Sequence, residues 1–432
     1  MKKYNSFIFK HYDFDRNMRE LTLAYSYDNE LELVERYKFD FDYTDYDERA
    51  LDKAMNLLFF VAGVSYYKSF LAPAIKIDYG VVTEELSGFL SRTYQKGLGE
   101  FFYLNKLDPK TEINFPINTK NIEKTEVINN GGKLIGIGGG KDSLVSVEML
   151  RDEPDVNTFS VNHKALLEPL VEKIGLPHLW VERELDPKIK EINASGAYNG
   201  HVPISAIIAC VGLVTSILGG LKDVVVSNES SASEPNLVYE GVPINHQYSK
   251  SLDFETDFQQ LLNIFYGDSI RYYSLLRPLS ELRIAELFAA TAFTKYRSVF
   301  NSCNRAYTGH GNHLFWCGEC PKCAFTYLLL APFIKSDALD PLWGKNLLLE
   351  PSLKDTYEKL LGIAGEQRPL DCVGDVKESR TAMRMAQKLY PVLNSYNFFV
   401  PDNYDYRSLS PHSMPVEMYE ILERFIMRSL PE

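Results

Sequence analysis

The first 48 residues alternate apolar and polar positions through "FIFKHYDF", "LTLAYSY" and "LELVERYKFDFDY", with Asp-Asn-type breaks between them. A period of two bounded by turn residues predicts antiparallel strands, half exposed to water. From residue 49 to about 107 the period becomes helical, in "RALDKAMNLLFFVAGVSYYKSFL" and "TEELSGFLSRTYQKGLGEFFYLN". An α+β domain is therefore expected over residues 1–125. The tyrosine pair Tyr66 and Tyr67 within it is read as core. The polar "DPKTEINFPINTKNIEKTEVINNGG" that follows carries neither period and predicts a connection without elements of its own.

After Lys133 the pattern changes again. Short β-branched runs ("KLIGIG", "VNTFSV", "HLWVERE", "KDVVVSN", "RYYSLLR") alternate with helical segments ("DSLVSVEMLRD", "KALLEPLVEKIG", "PISAIIACVGLVTSIL", "LSELRIAELFAATA"). Such alternation predicts a parallel sheet covered on both faces, with ligands at the carboxyl ends of its strands. This α/β domain is expected over 126–300, and a cysteine-bearing, mainly helical region over 301–432. There is no internal repeat.

Composition narrows the partners. With 45% hydrophobic and 24% charged residues the chain is that of an ordinary globular protein, neither disordered nor fibrous. Its apolar runs are too short or too rich in small and polar residues to cross a membrane, and no signal-like start opens it. The expected location is the cytoplasm, without membrane contact. A net charge of -12 also disfavours nucleic acid, which needs a basic footprint.

Two short stretches carry chemistry. In "LIGIGGGKDSLVS" a strand-like run ends in Gly138, Gly139 and Gly140, then Lys141, Asp142 and Ser143. A Walker loop needs a hydroxyl after its lysine, where Asp142 stands, and a dinucleotide fingerprint needs glycine where Lys141 stands. In "SCNRAYTGHGNHLFWCGECPKC", Cys303, Cys317, Cys320 and Cys323 follow C-x13-C-x2-C-x2-C spacing. Overlapping C-x2-C steps bring thiolates onto one tetrahedral ion, so a structural zinc is expected, with an iron-sulfur centre as the competing reading. His310 and His313 are alternative ligands to Cys303. Cys210 reads as core and Cys372 as a lone thiol.

The stretch "GGGKDS" resembles the "SGGxDS" loop of the N-type ATP pyrophosphatases, the PP-loop superfamily, whose adenine-nucleotide α-hydrolase-like (HUP) fold the α/β domain would then share. The resemblance implies cleavage of ATP between its α and β phosphates. Backbone at Gly138, Gly139 and Gly140 would cradle pyrophosphate, Ser143 would donate a hydroxyl and Asp142 would hold Mg2+. Lys141 would add positive charge at the reacting phosphate. Gly138 replaces the first serine of that pattern and removes one side-chain donor. The end of the second strand, "SVNH", would meet adenine and ribose through Ser160 and Asn162.

Longer blocks, "FVAGVSYYKSF", "YQKGLGEFFYLN", "SCNRAY" and "WCGECPKCAFTYLLLAPF", are similar to the MurL-type epimerases of UDP-N-acetylmuramoyl-L-alanyl-L-glutamate. That family implies ATP- and Mg2+-dependent inversion of a terminal L-glutamate, with AMP and pyrophosphate released, for peptidoglycan biosynthesis. Inversion needs acid-base groups. His201 in "NGHVPISA" and Glu229 in "VVVSNESSASE" are the candidates, with His246, Tyr248 and Lys250 as further substrate contacts. Lys68, Arg305 and Lys322 are candidates for the substrate's diphosphate and carboxylates. The alternatives are another adenylating ligase (cyanodeazaguanine synthase shares the "CGxCxxC" pattern), a thiolating enzyme acting on tRNA, or an inert nucleotide-binding module.

Overall fold

The computed structural model describes residues 2–43, 45–308, 314–363 and 369–430. The expected meander forms as β1 (Ser6–Asp15), β2 (Glu20–Tyr27) and β3 (Leu31–Asp40). Arg19, Asp28 and Asn29 adopt positive φ at its two tight turns, as reversals of this kind require. One face buries Phe7, Phe9, Leu23, Tyr25 and Tyr37 beneath the helix Glu48–Ala62, whose N-terminus Asp47 caps by accepting from Arg49 N and Ala50 N. A short edge strand, β4 (Ala74–Ile77), adds in parallel to β1.

The five expected strands of the second half also form: β5 (Lys133–Gly136), β6 (Val156–Val161), β7 (His178–Glu184), β8 (Asp223–Val226) and, after a small ribbon of β9 (Leu237–Tyr239) and β10 (Val242–Ile244), β11 (Arg271–Ser274). All five pair in parallel, in the order β11-β8-β5-β6-β7. The order reverses between β5 and β8, so a crevice opens at the carboxyl ends there.

The meander and the parallel strands are one sheet. β3 pairs antiparallel with β7, from Arg36 opposite Glu184 to Asp40 opposite Trp180, giving nine strands across the division expected at residue 125. Arg183 of β7 ties this seam down, donating to Glu35 Oε1 at 2.6 Å and to Ser65 Oγ at 2.8 Å. The helix Ile204–Leu218 is apolar almost all round and buried along most of its length, because it packs against both the sheet and the helix Glu48–Ala62. The stretch from Lys106 to Gly132 has no regular element, as expected. It is nonetheless packed: Ile113, Phe115 and Val127 are buried, and Thr125 N donates to Phe265 O.

The helix Leu252–Tyr266 adds to the expected elements. Its apolar face, Phe254, Phe258, Leu261, Leu262 and Phe265, lies against β11 and the helix Glu84–Gly97. A second core gathers the helices Lys141–Leu150, Glu281–Thr291, Pro321–Leu330 and Val376–Gln387. Among the described residues no helix is long and apolar enough to cross a membrane.

Arg277 is fully buried and joins these parts. Its Nε donates to Glu255 Oε2 at 3.0 Å, Nη1 to the Glu229 carbonyl and Nη2 to the Lys250 carbonyl, each at 2.5 Å. Glu255 also accepts from Ser274 N and Ser413 Oγ. Arg277→Met would leave a buried carboxylate without its cation and free two carbonyls. The expected loss is about 3–5 kcal/mol, read as a lower urea midpoint, and the double variant Arg277→Met/Glu255→Gln should lose less than the single one.

Candidate active site

A cleft of about 520 Å³ opens at the carboxyl ends of β5, β6 and β8, within the range of about 300–1,000 Å³ of small-molecule sites. Its floor is the expected glycine loop. Gly138 faces open space, whereas a side chain at Gly139, where φ is +88°, would lie 2.2 Å from Tyr307 Oη and 2.9 Å from the Asn301 carbonyl. Tyr307 Oη donates to Gly138 O at 3.1 Å and Asn301 N to Gly139 O at 2.8 Å. The loop is thus clamped from the cysteine-bearing segment. Gly140 begins the helix Lys141–Leu150 with no side-chain cap, which leaves the first N–H groups for an anion.

Gly138, Gly140, Asp142 and Ser143 line the cleft; so do Ser160, Asn162 and Lys322. Ser143 Oγ donates to Gly140 O. Ser160 Oγ meets His178 Nε2 at 2.9 Å, and Asn162, at φ +62°, accepts from Arg183 N. Lys141 turns into the protein, where its ammonium pairs with Asp142 and Glu281. Burial opposes its charge, but the two carboxylates outweigh that and hold its pKa well above the ordinary lysine value. Burial likewise opposes ionisation of Asp142, and Lys141, Lys322 and Lys250 reverse the effect and lower its pKa. Glu281 goes up, through burial first and then repulsion by Asp142 and Glu229.

Lys68, His201, Glu229 and Arg305 do not line the cleft. Lys68 is buried, donates to Asn199 Oδ1 at 2.7 Å, and burial pulls its pKa down to about 8. Arg305 is exposed and paired with Glu319. Glu229 is buried beside Lys250, Glu281 and Glu378. Cys210, Tyr66 and Tyr67 are core residues, as expected. His310 and His313 lie outside the described residues.

Cys372 is a free thiol outside the cysteine cluster, as expected, but it is not isolated. It lines the cleft, with Sγ 3.3 Å from Lys250 Nζ and 3.7 Å from His246 Nε2. The other nitrogen of His246, Nδ1, bonds the buried Glu100 carboxylate. Burial works against the thiolate, yet Lys250, His246 and Lys322 bring the Cys372 pKa down to about 6. Burial also works against the imidazolium, and Cys372 and Glu100 carry His246 up to about 9. At neutral pH this pair is thiolate and imidazolium. His201 lies behind, its ring tilted by 42° at a centroid distance of 4.4 Å, held neutral with a pKa near 4 by burial first and then by His246. Nothing local marks this grouping in the sequence, since residues 100, 246 and 372 meet only in the fold. Arg183, also in the cleft wall, was hidden as a strand residue.

Cys303 and Cys320 bring their sulfurs to 3.9 Å, and Cys317 and Cys323 to 3.7 Å. All four lie within 4.8 Å of one another. One ion with metal–sulfur bonds of about 2.3 Å makes tetrahedral edges of about 3.8 Å, so the four could hold a single ion. A multinuclear cluster would spread them over several metals and further apart. Cys317 accepts from Glu319 N and Cys320 from Cys323 N, contacts that suit thiolate ligands.

The chain matches the family model described as the MurL N-terminal domain over residues 1–275 and that described as the MurL C-terminal domain over 299–392. Three similar proteins are named UDP-N-acetyl-alpha-D-muramoyl-L-alanyl-L-glutamate epimerase. That of Xanthomonas oryzae pv. oryzae is 38% identical over 84% of this chain and 81% of its own length. That of Salinispora tropica is 37% identical over 89% and 85%, and that of a Micromonospora species 39% over 78% and 75%. No solved structure matches the chain. With a family model covering well over half its length, the chain belongs to the MurL family.

Proposed function

We propose that this protein inverts the terminal L-glutamate of UDP-MurNAc-L-Ala-L-Glu to D-glutamate for peptidoglycan biosynthesis, through a carboxyl adenylate made from ATP. The observation that carries the reading is 37–39% identity, over three quarters or more of their length, to proteins named for that epimerisation. The cleft supports the ATP-dependent part. A clamped triple-glycine turn leads into an uncapped helix start at a sheet switch point, an arrangement suited to phosphate and consistent with a PP-loop, HUP-type site. Asp142, kept ionised in the cleft wall, would hold Mg2+ against the leaving pyrophosphate. Ser160 and Asn162 would border adenosine. Such a substrate is handled in the cytoplasm, without nucleic acid or membrane.

The chemistry explains why ATP is needed. Removing an α proton beside a carboxylate sets two negative charges together. Adenylation neutralises the carboxyl group and makes its carbonyl an electron sink, so an ordinary side-chain base suffices. Reprotonation from the other face and hydrolysis of the mixed anhydride give D-glutamyl product and AMP, and ATP plus water becomes AMP plus pyrophosphate overall. Lys250 and Lys322 border the cleft and would receive the substrate's anionic groups.

Cys303, Cys317, Cys320 and Cys323 would hold one structural zinc. With four thiolates it has no open position, and its contribution is to order the segment whose Asn301 and Tyr307 clamp the glycine loop.

Incubation with ATP, Mg2+ and UDP-MurNAc-L-Ala-L-Glu, followed by acid hydrolysis and chiral chromatography, should yield D-glutamate with matching AMP. Pyrophosphate without D-glutamate would point to a ligase instead. Asp142→Asn should lower pyrophosphate release by about 100-fold or more, and Gly139→Ala should weaken nucleotide binding in calorimetry, because its new methyl group displaces Tyr307. Plasma emission spectrometry should find about one zinc per chain, and Cys320→Ser/Cys323→Ser should lack it and be cut by trypsin within 301–330.

A further inference from the structure

The geometry points to Cys372 as the base that takes the α proton of the adenylated glutamyl residue, with His246 and Glu100 as its positioning residues. This rests on the epimerase reading above and deepens it.

Three observations carry the assignment. First, Cys372 lines the same cleft as the glycine loop and Asp142, so its sulfur shares a space with the phosphates of a nucleotide bound there. His201 and Glu229 stand outside that lining. Second, the thiol sits in a relay with defined roles: His246 reaches the sulfur with Nε2 and the Glu100 carboxylate with Nδ1, and the carboxylate fixes the ring's orientation and favours its charged form. Third, the Lys250 ammonium, 3.3 Å from the sulfur, balances thiolate charge from the cleft side. These surroundings bring the thiol to a pKa of about 6, so the basic form predominates at neutral pH.

The Cα–H bond breaks and its proton goes to Sγ, forming S–H; its electron pair enters the acyl carbonyl to give an enolate. Collapse of the enolate takes a proton from water on the opposite face, which inverts the centre. The thiol then returns its proton to the hydroxide so formed. A thiolate could instead attack the acyl carbon. The adenylate already makes Cα–H acidic, so a thioester would add no activation.

The experiment runs the full-length protein in D2O with ATP, Mg2+ and UDP-MurNAc-L-Ala-L-Glu. It follows pyrophosphate in a single turnover and deuterium at the glutamyl Cα by mass spectrometry. Cys372→Ser should release pyrophosphate at a near wild-type rate while deuterium incorporation and D-glutamate fall by about 100-fold or more. The retained first step also shows that the variant is folded. His246→Ala should slow alkylation of Cys372 by iodoacetamide at pH 7 by about tenfold, followed on the Cys372 peptide, because its thiolate fraction drops.

Exchange by Cys372→Ser within threefold of wild type would overturn the assignment, as would loss of pyrophosphate release together with exchange. Cys372 recovered with a glutamyl adduct after quenching would also overturn it. A wild-type protein that neither released pyrophosphate nor exchanged deuterium would instead remove the epimerase reading, and the assignment with it.

Discussion

The site depends on a single electrostatic constraint: charge taken out of water must be paired. Arg277 meets it most completely. With no exposure to solvent, its guanidinium neutralises Glu255 and simultaneously holds the Glu229 and Lys250 carbonyls. The two loops leaving β8 and the ribbon are thereby set against β11. Lys141 obeys the same rule with Asp142 and Glu281, and Arg183 with Glu35. The Lys141–Glu281 and Arg183–Glu35 pairs join segments far apart in the chain and so brace the elements around the cleft.

That rigidity bears on catalysis. A phosphate-binding turn acts by presenting fixed N–H groups, and every degree of freedom left in it would have to be frozen on binding. Here Tyr307 and Asn301 hold the turn before any ligand arrives. Asn301 and Tyr307 flank Cys303 closely, so an ion on the four cysteines would stiffen the glycine turn without touching the cleft.

The long sheet serves a related purpose. Because β3 pairs with β7, the amino-terminal meander and its helices are in register with the parallel strands. The helix Gly99–Leu104 therefore delivers Glu100 to His246 at the back of the cleft. An independent amino-terminal domain on a loose connection could not hold a carboxylate at hydrogen-bond distance. The packed stretch through Phe115 and Val127 shows that its polar composition disguised a strap.

Much of the fold was legible in the chain. The meander, the five parallel strands and the helices between them follow from periods of two and 3.6 residues, which are local properties of a backbone burying one face. The glycine turn and the four cysteines were legible for the same reason, since their function depends on spacing along a short segment. The helix Leu252–Tyr266 shows the limit of that reading, because its apolar spacing is interleaved with charges whose partners lie elsewhere in the chain: Asp253 with Lys96, Glu255 with Arg277 and Asp257 with Arg92.

Acid-base chemistry was not legible in this way. His201 and Glu229 stand where the sequence suggested, before a helix and after a strand, yet neither lines the cleft. Cys372 had no local signal and acquires its character from Lys250, His246 and Lys322. The sequence alone determined the elements and the turn suited to phosphate. Tertiary structure decided which ionisable groups share one low-dielectric space, because proton affinity depends on neighbours in three dimensions and falls off with distance through space, not along the chain.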